Sequence, residues 1–103
     1  MKYSPRKYYV YVIEARDTRG KRILYVGQSG KTPEERLRQH KARCVRYCDS
    51  CMCKHYIHGD VIGLRHELFS QYNPLYSRPE AEEVERWLAR KLKRAGYTVR
   101  GGH

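Results

Sequence analysis

Tyr8-Tyr9-Val10-Tyr11-Val12-Ile13, then Asp17-Thr18-Arg19-Gly20-Lys21, then Arg22-Ile23-Leu24-Tyr25-Val26-Gly27: two β-branched and aromatic runs flank a polar turn. This pattern predicts a β-hairpin with a three-residue loop and a left-handed glycine forming a bulge. With Thr18 to Gly20 as the loop, Asp17 faces Lys21. The register then sets Tyr11 opposite Gly27 and Ile13 opposite Tyr25. Tyr11 and Tyr25 therefore share one face of the sheet as diagonal neighbours, about 7–8 Å apart between backbones. Gly27 contributes no side chain, so a gap is expected beside Tyr11.

Two helices follow from local signals. Thr32-Pro33-Glu34-Glu35 is a capping box with proline at the first helical position, and the helix runs to about Arg43. At 100° per residue Pro33, Arg36, Leu37, His40 and Cys44 fall within one arc of about 100°, so Arg36 and His40 border the buried face. Ser77-Arg78-Pro79-Glu80 is a second capping box, and Gly96 stops that helix. Its apolar stripe is Ala81, Val84, Leu88, Leu92 and Ala95, with Glu82 and Glu83 pointing away. Glu85 alone among its charged residues lies against the stripe. A carboxylate there must bond a core tyrosine or arginine, or bind a cation. Between the helices, Tyr56-Ile57-His58 and Asp60-Val61-Ile62 offer a third strand, and Asn73-Pro74-Leu75 reads as a turn. The expected fold is α+β: one domain over residues 1–103, a small antiparallel sheet of hairpin plus third strand flanked by helices, with a Cys-rich middle segment at about 44–58.

Composition narrows the function class. Twenty-two Lys+Arg against 11 Asp+Glu leave a formal charge of +11, and mean hydropathy is −0.90. No apolar run approaches the ~20 residues of a membrane span, and no stretch at the start has signal-peptide character. An intracellular, cytoplasmic domain with a polyanionic partner is expected, and nucleic acid is the common one.

Two tyrosines on a hairpin, an arginine on the next helix and a glutamate on a later one resemble the GIY-YIG nuclease family. Tyr9-Val10-Tyr11 stands where that family has Gly-Ile-Tyr, and Tyr25-Val26-Gly27 where it has Tyr-Ile-Gly. Arg36-Leu37-Arg38-Gln39-His40 fits its Arg-Leu-x-x-His helix, and Val84-Glu85-Arg86-Trp87-Leu88 its apolar-Glu-x-x-Leu helix. The resemblance spans about residues 7 to 96. It implies an endonuclease that hydrolyses phosphodiester bonds with a divalent metal, Mg²⁺ or Mn²⁺, held by Glu85. Arg36 would grip a non-bridging phosphate oxygen. Tyr11, with Tyr25 as second candidate, would orient or deprotonate the attacking water. The phenol of ordinary pKa is a poor base at neutral pH, so Arg36 and the metal would have to lower it. His40 would bond the phosphate or a tyrosine, or else simply pack. Three positions depart from the pattern. Tyr9 replaces the first glycine, and Gln28 replaces a lysine that some members carry after the second motif. The asparagine that often follows the glutamate helix is also missing, because the lone Asn73 precedes that helix.

The four cysteines, Cys44, Cys48, Cys51 and Cys53, cluster just before His55 and His58. In an intracellular chain such crowding suggests a structural zinc completed by the fourth cysteine or by His55 or His58; free thiols, or one disulfide formed on oxidation, are the alternative. Basic residues form two further groups: Lys31, Arg38 and Lys41 around the first helix, and Arg90, Lys93 and Arg94 on the second. With Gly27 and Gln28, these are the expected contacts to the nucleic-acid backbone. DNA ranks ahead of RNA, and no sequence-reading module is visible, so a targeting partner or a homo-oligomer would fit. The rival reading is a non-catalytic, zinc-stapled module that binds DNA or RNA without cutting it.

Overall fold

The computed structural model describes residues 6–17, 19–46 and 60–101, with the side chains of 42–46 and of residue 60 left aside. Cys48, Cys51, Cys53, His55 and His58 lie outside the described residues; Cys44 falls in a helix, but its side chain is not described. The described elements are β1 (Tyr9–Arg16), β2 (Arg22–Ser29), α1 (Pro33–Arg46), β3 (Asp60–Leu64), two single 3-10 turns at His66–Leu68 and Ser70–Tyr72, α2 (Arg78–Arg94) and β4 (Val99–Gly101). The sheet order is β3-β1-β2-β4.

The hairpin has the predicted register, with Tyr11 paired to Gly27 and Ile13 to Tyr25. Its loop is tied locally. The Asp17 carboxylate accepts from the backbone N–H groups of Arg19 and Lys21, each at 2.9 Å, and Gly20 adopts φ 81°. That left-handed turn is where a glycine is required. Val10, Val12, Leu24 and Val26 are as fully buried as their neighbours on the opposite face. Both faces of the hairpin are thus covered, which is why the runs read as continuously apolar rather than alternating.

The third strand falls on one of its two candidate segments, and two expectations change. The third strand is Asp60–Leu64, pairing with the second half of β1, and Tyr56 to His58 lie outside the described residues. The sheet has a fourth strand, β4, parallel to β2, so it is mixed and not purely antiparallel. Three residues carry too little periodicity to read as a strand; the pairing arises because Gly96, at φ 102°, turns the chain back from α2 onto the β2 edge. Gly101 ends that strand at φ 78°, where a Cβ would run into the Val26 carbonyl oxygen and the Tyr25 ring. Finally, the buried face of α2 comprises Ala81, Glu85, Leu88, Ala89 and Leu92, while Ala95 is exposed. The helix packs on β2, β4 and β1 with Ala89 and Glu85 on its buried face and Ala95 off it.

The helix starts are as predicted. Thr32 Oγ1 accepts from the Glu35 N–H at 3.2 Å, and Glu35 accepts from the Thr32 N–H at 3.0 Å. At α2, Ser77 accepts from Glu80 N–H, while the Glu80 carboxylate reaches one residue further back to Tyr76 N–H.

Asn73 does more than turn the chain. Its side-chain amide accepts from Val10 N–H at 2.9 Å and donates to Val10 C=O at 2.8 Å. It therefore replaces a neighbouring strand where β3 does not reach, next to the backbone bridge between Tyr8 and Leu75. Asn73→Ala leaves both Val10 backbone groups without partners in a fully buried strand. The expected cost is about 2–3 kcal/mol, read as a lower urea midpoint with an unchanged slope.

Candidate active site

α1 and α2 bring their charged edges over the face that carries Tyr11 and Tyr25. The two phenol rings lie 6.1 Å apart between centroids, as the register requires. The expected gap beside Gly27 is filled by Tyr11 itself: a Cβ at Gly27 would sit 2.5 Å from the Tyr11 hydroxyl. Glycine is needed at that point so that the ring can lie flat on β2.

Arg36 projects from the first turns of α1. Its Nε donates to the Tyr11 hydroxyl at 3.2 Å, and its Nη1 donates to Gln39 Oε1, one turn along the helix. Gln39 thereby fixes the fork of the guanidinium, a role that no spacing signal in the sequence marks. Tyr25 is also hydrogen-bonded to Tyr11. Burial raises the Tyr11 phenol above its ordinary value; the charge and bond of Arg36 pull the other way without overcoming it, and Glu85 adds to the rise. The lowering expected from Arg36 together with a bound metal is thus not supplied by Arg36 alone: at this site desolvation outweighs the arginine.

Glu85 reaches the site from the middle of α2 and is only 6% exposed. With Tyr11, Tyr25, Gly27, Gln28 and Arg36 it lines a cavity of about 360 Å³. Glu82 and Arg86 complete the wall. Glu82 was expected to point away from the core; it does leave the apolar stripe, but the side it turns to is the cavity. The signal was present in its helical position, three residues before Glu85 and on an adjoining face.

His40 is 2% exposed and packs tilted against both rings, with centroids 5.0 Å from Tyr25 and 6.2 Å from Tyr11. It backs both tyrosines rather than lining the cavity. Of the expected backbone contacts, Gly27 and Gln28 border this cavity, and Lys31 borders a larger one beside it. Arg38, Lys41, Arg90, Lys93 and Arg94 are exposed on the helices and line neither.

The oxygen donors around the cavity, two carboxylates and two phenols, suit a hard divalent cation that keeps several waters. Among the described residues no group of three or more His, Cys, Asp and Glu side chains is placed to hold a metal. Among them, too, no helix is long and apolar enough to cross a membrane.

A family model described as the GIY-YIG catalytic domain matches residues 7–98. No curated protein and no solved structure matches the chain.

Proposed function

The chain belongs to the GIY-YIG family of nucleases, and from that premise we propose that it is an endonuclease hydrolysing phosphodiester bonds, DNA first, with Mg²⁺ or Mn²⁺. The single observation that carries this reading is the placement of a buried carboxylate, Glu85, in one small cavity with Arg36 and the Tyr11–Tyr25 pair.

Each side chain has a distinct task. Arg36 binds a non-bridging phosphate oxygen through its planar fork, held in aim by Gln39 and Tyr11. Tyr11, already accepting a bond from Arg36, orients the attacking water and takes its proton when ionised. Tyr25 steadies Tyr11 through the bond between them, and His40 holds both rings in place by packing. Glu85, with Glu82 beside it, would hold the divalent cation, which would supply charge neutralisation for the phosphate. A displacement of this kind is almost entirely positioning and charge stabilisation, which a rigid, half-enclosed site supplies.

The test is incubation with labelled DNA and RNA, single- and double-stranded, in Mg²⁺, in Mn²⁺ and in a chelator. Cleavage confined to the metal-containing samples is expected. Binding without cleavage of any substrate in either metal would return the rival reading, a nucleic-acid-binding module.

The cysteine cluster belongs to a separate structural proposal. One zinc per chain is expected after purification, held by Cys44, Cys48, Cys51 and a fourth ligand from Cys53, His55 or His58. Its removal should lower the melting temperature without changing the metal dependence of cleavage. A zinc content near zero refutes it.

A further inference from the structure

Beside the catalytic cavity lies a second one of about 570 Å³. The two share Gln28 and Arg36 as a common wall. Their charge patterns differ. The catalytic cavity sets Glu82 and Glu85 against Arg36 and Arg86, a balance suited to a cation and a phosphate together. Among the described residues the larger cavity is lined by four cations, Arg6, Lys31, Arg36 and Arg78, and by no carboxylate. Glu82 bonds to this set from outside, accepting from Arg78 Nε at 3.3 Å. Those side chains are 69% and 41% exposed, so the pair is weak and an incoming anion can replace it.

We infer that the larger cavity holds the phosphate adjoining the scissile one on the same strand; this rests on the nuclease reading of the smaller cavity. Four cations without acids call for a ligand with negative charge and no counterion of its own. The shared wall is one arginine and one glutamine, so a strand leaving the catalytic cavity passes directly into the larger. Arg36 then faces the scissile phosphate on one side and its neighbour on the other. Lys31 and Arg78 grip that neighbour from opposite sides of the strand's path, one from the loop before α1 and one from the first turn of α2. The Tyr8 ring and the Gln28 amide supply neutral contacts to sugar or base. This cleft sets the register of the strand and carries no base specificity, since its charged contacts go to phosphate.

The experiment measures binding of a labelled DNA duplex in chelator by the wild type and by the Lys31→Ala/Arg78→Ala double variant. Both residues are exposed, so the fold is kept. The duplex is used intact, and with a single neutral methylphosphonate moved along one strand. The variant should bind the intact duplex about tenfold more weakly, with a salt slope reduced by about one per lost phosphate contact. One methylphosphonate position should weaken the wild type by a similar factor and leave the variant unchanged. Equal effects of every position in both proteins overturn the inference. A parallel incubation of the wild type in Mg²⁺ maps the cut. A coupled phosphate that is not next to the cut also overturns it. Failure to cut at all counts against the nuclease reading alone, because the coupling is read from binding.

Discussion

The Glu85→Gln protein should lose metal-dependent cleavage by about 10³-fold or more. Glutamine keeps the size and shape of the side chain, so Ala81, Leu88 and Ala89 keep their packing around it. What disappears is one negative charge on a buried side chain, where charge interactions are stronger than in open water. A cation there would lose its principal ligand, leaving Glu82, which also bonds Arg78. Binding of DNA in chelator should be unchanged or tighter, because a charge that repels phosphate is gone. Thermal unfolding of the variant supplies the control for folding. A Glu85→Gln protein that cleaves at the wild-type rate overturns the assignment of the metal ligand.

Tyr11→Phe should cost about 10²–10⁴-fold in cleavage rate, with Tyr25→Phe costing less. The phenylalanine ring fills the same space over Gly27, but removes the oxygen to which Arg36 Nε donates. The pH profile separates the two tyrosines. Burial holds the Tyr11 phenol above its ordinary value, so its ionised fraction rises about tenfold per pH unit throughout the neutral range. If that fraction limits the rate, the logarithm of the wild-type rate climbs by about one per pH unit from pH 6 to 9 without a plateau. The residual rate of Tyr11→Phe is then flat. A wild-type rate independent of pH leaves Tyr11 as a hydrogen-bonding group and overturns its role as base. The same shift acts on stability with a definite sign. A phenol raised in the folded state leaves stability unaffected below its unfolded pKa of about 10. Stability is lost as pH rises from there through the folded value, because the unfolded chain releases the proton first.

Much of this site is written locally. The hairpin register follows from Asp17 and Gly20, whose side-chain bonds and positive φ admit one loop length. One loop length fixes one alternation, so Tyr11 and Tyr25 must share a face. The helix starts at Thr32 and Ser77 are set by side-chain caps within three residues. Periodicity then orders Arg36 and Glu85 onto the right edges of their helices.

What escaped that reading depends on segments far apart in the chain. Asn73 bonds Val10 across 63 positions, and no local pattern marks it as a substitute for a strand. β4 is only three residues, and its parallel partner is chosen by where α2 ends. Glu82 faces the cavity because of how α2 is seated on the sheet, which close packing decides rather than helical period alone. The Tyr11 phenol illustrates the same division: adjacency to Arg36 was expected, but the sign of its net shift depends on how much water two helices exclude.

The sequence alone thus determined where Tyr11, Tyr25, Arg36 and Glu85 stand on their strands and helices, because turn, cap and period signals act over a few residues. Tertiary structure alone decided that Arg36 and Glu85 meet across Tyr11, that His40 packs behind the rings, and that a second basic cavity adjoins the first. Those outcomes are set by which helix faces exclude water from the sheet, and burial is a property of the whole packed chain.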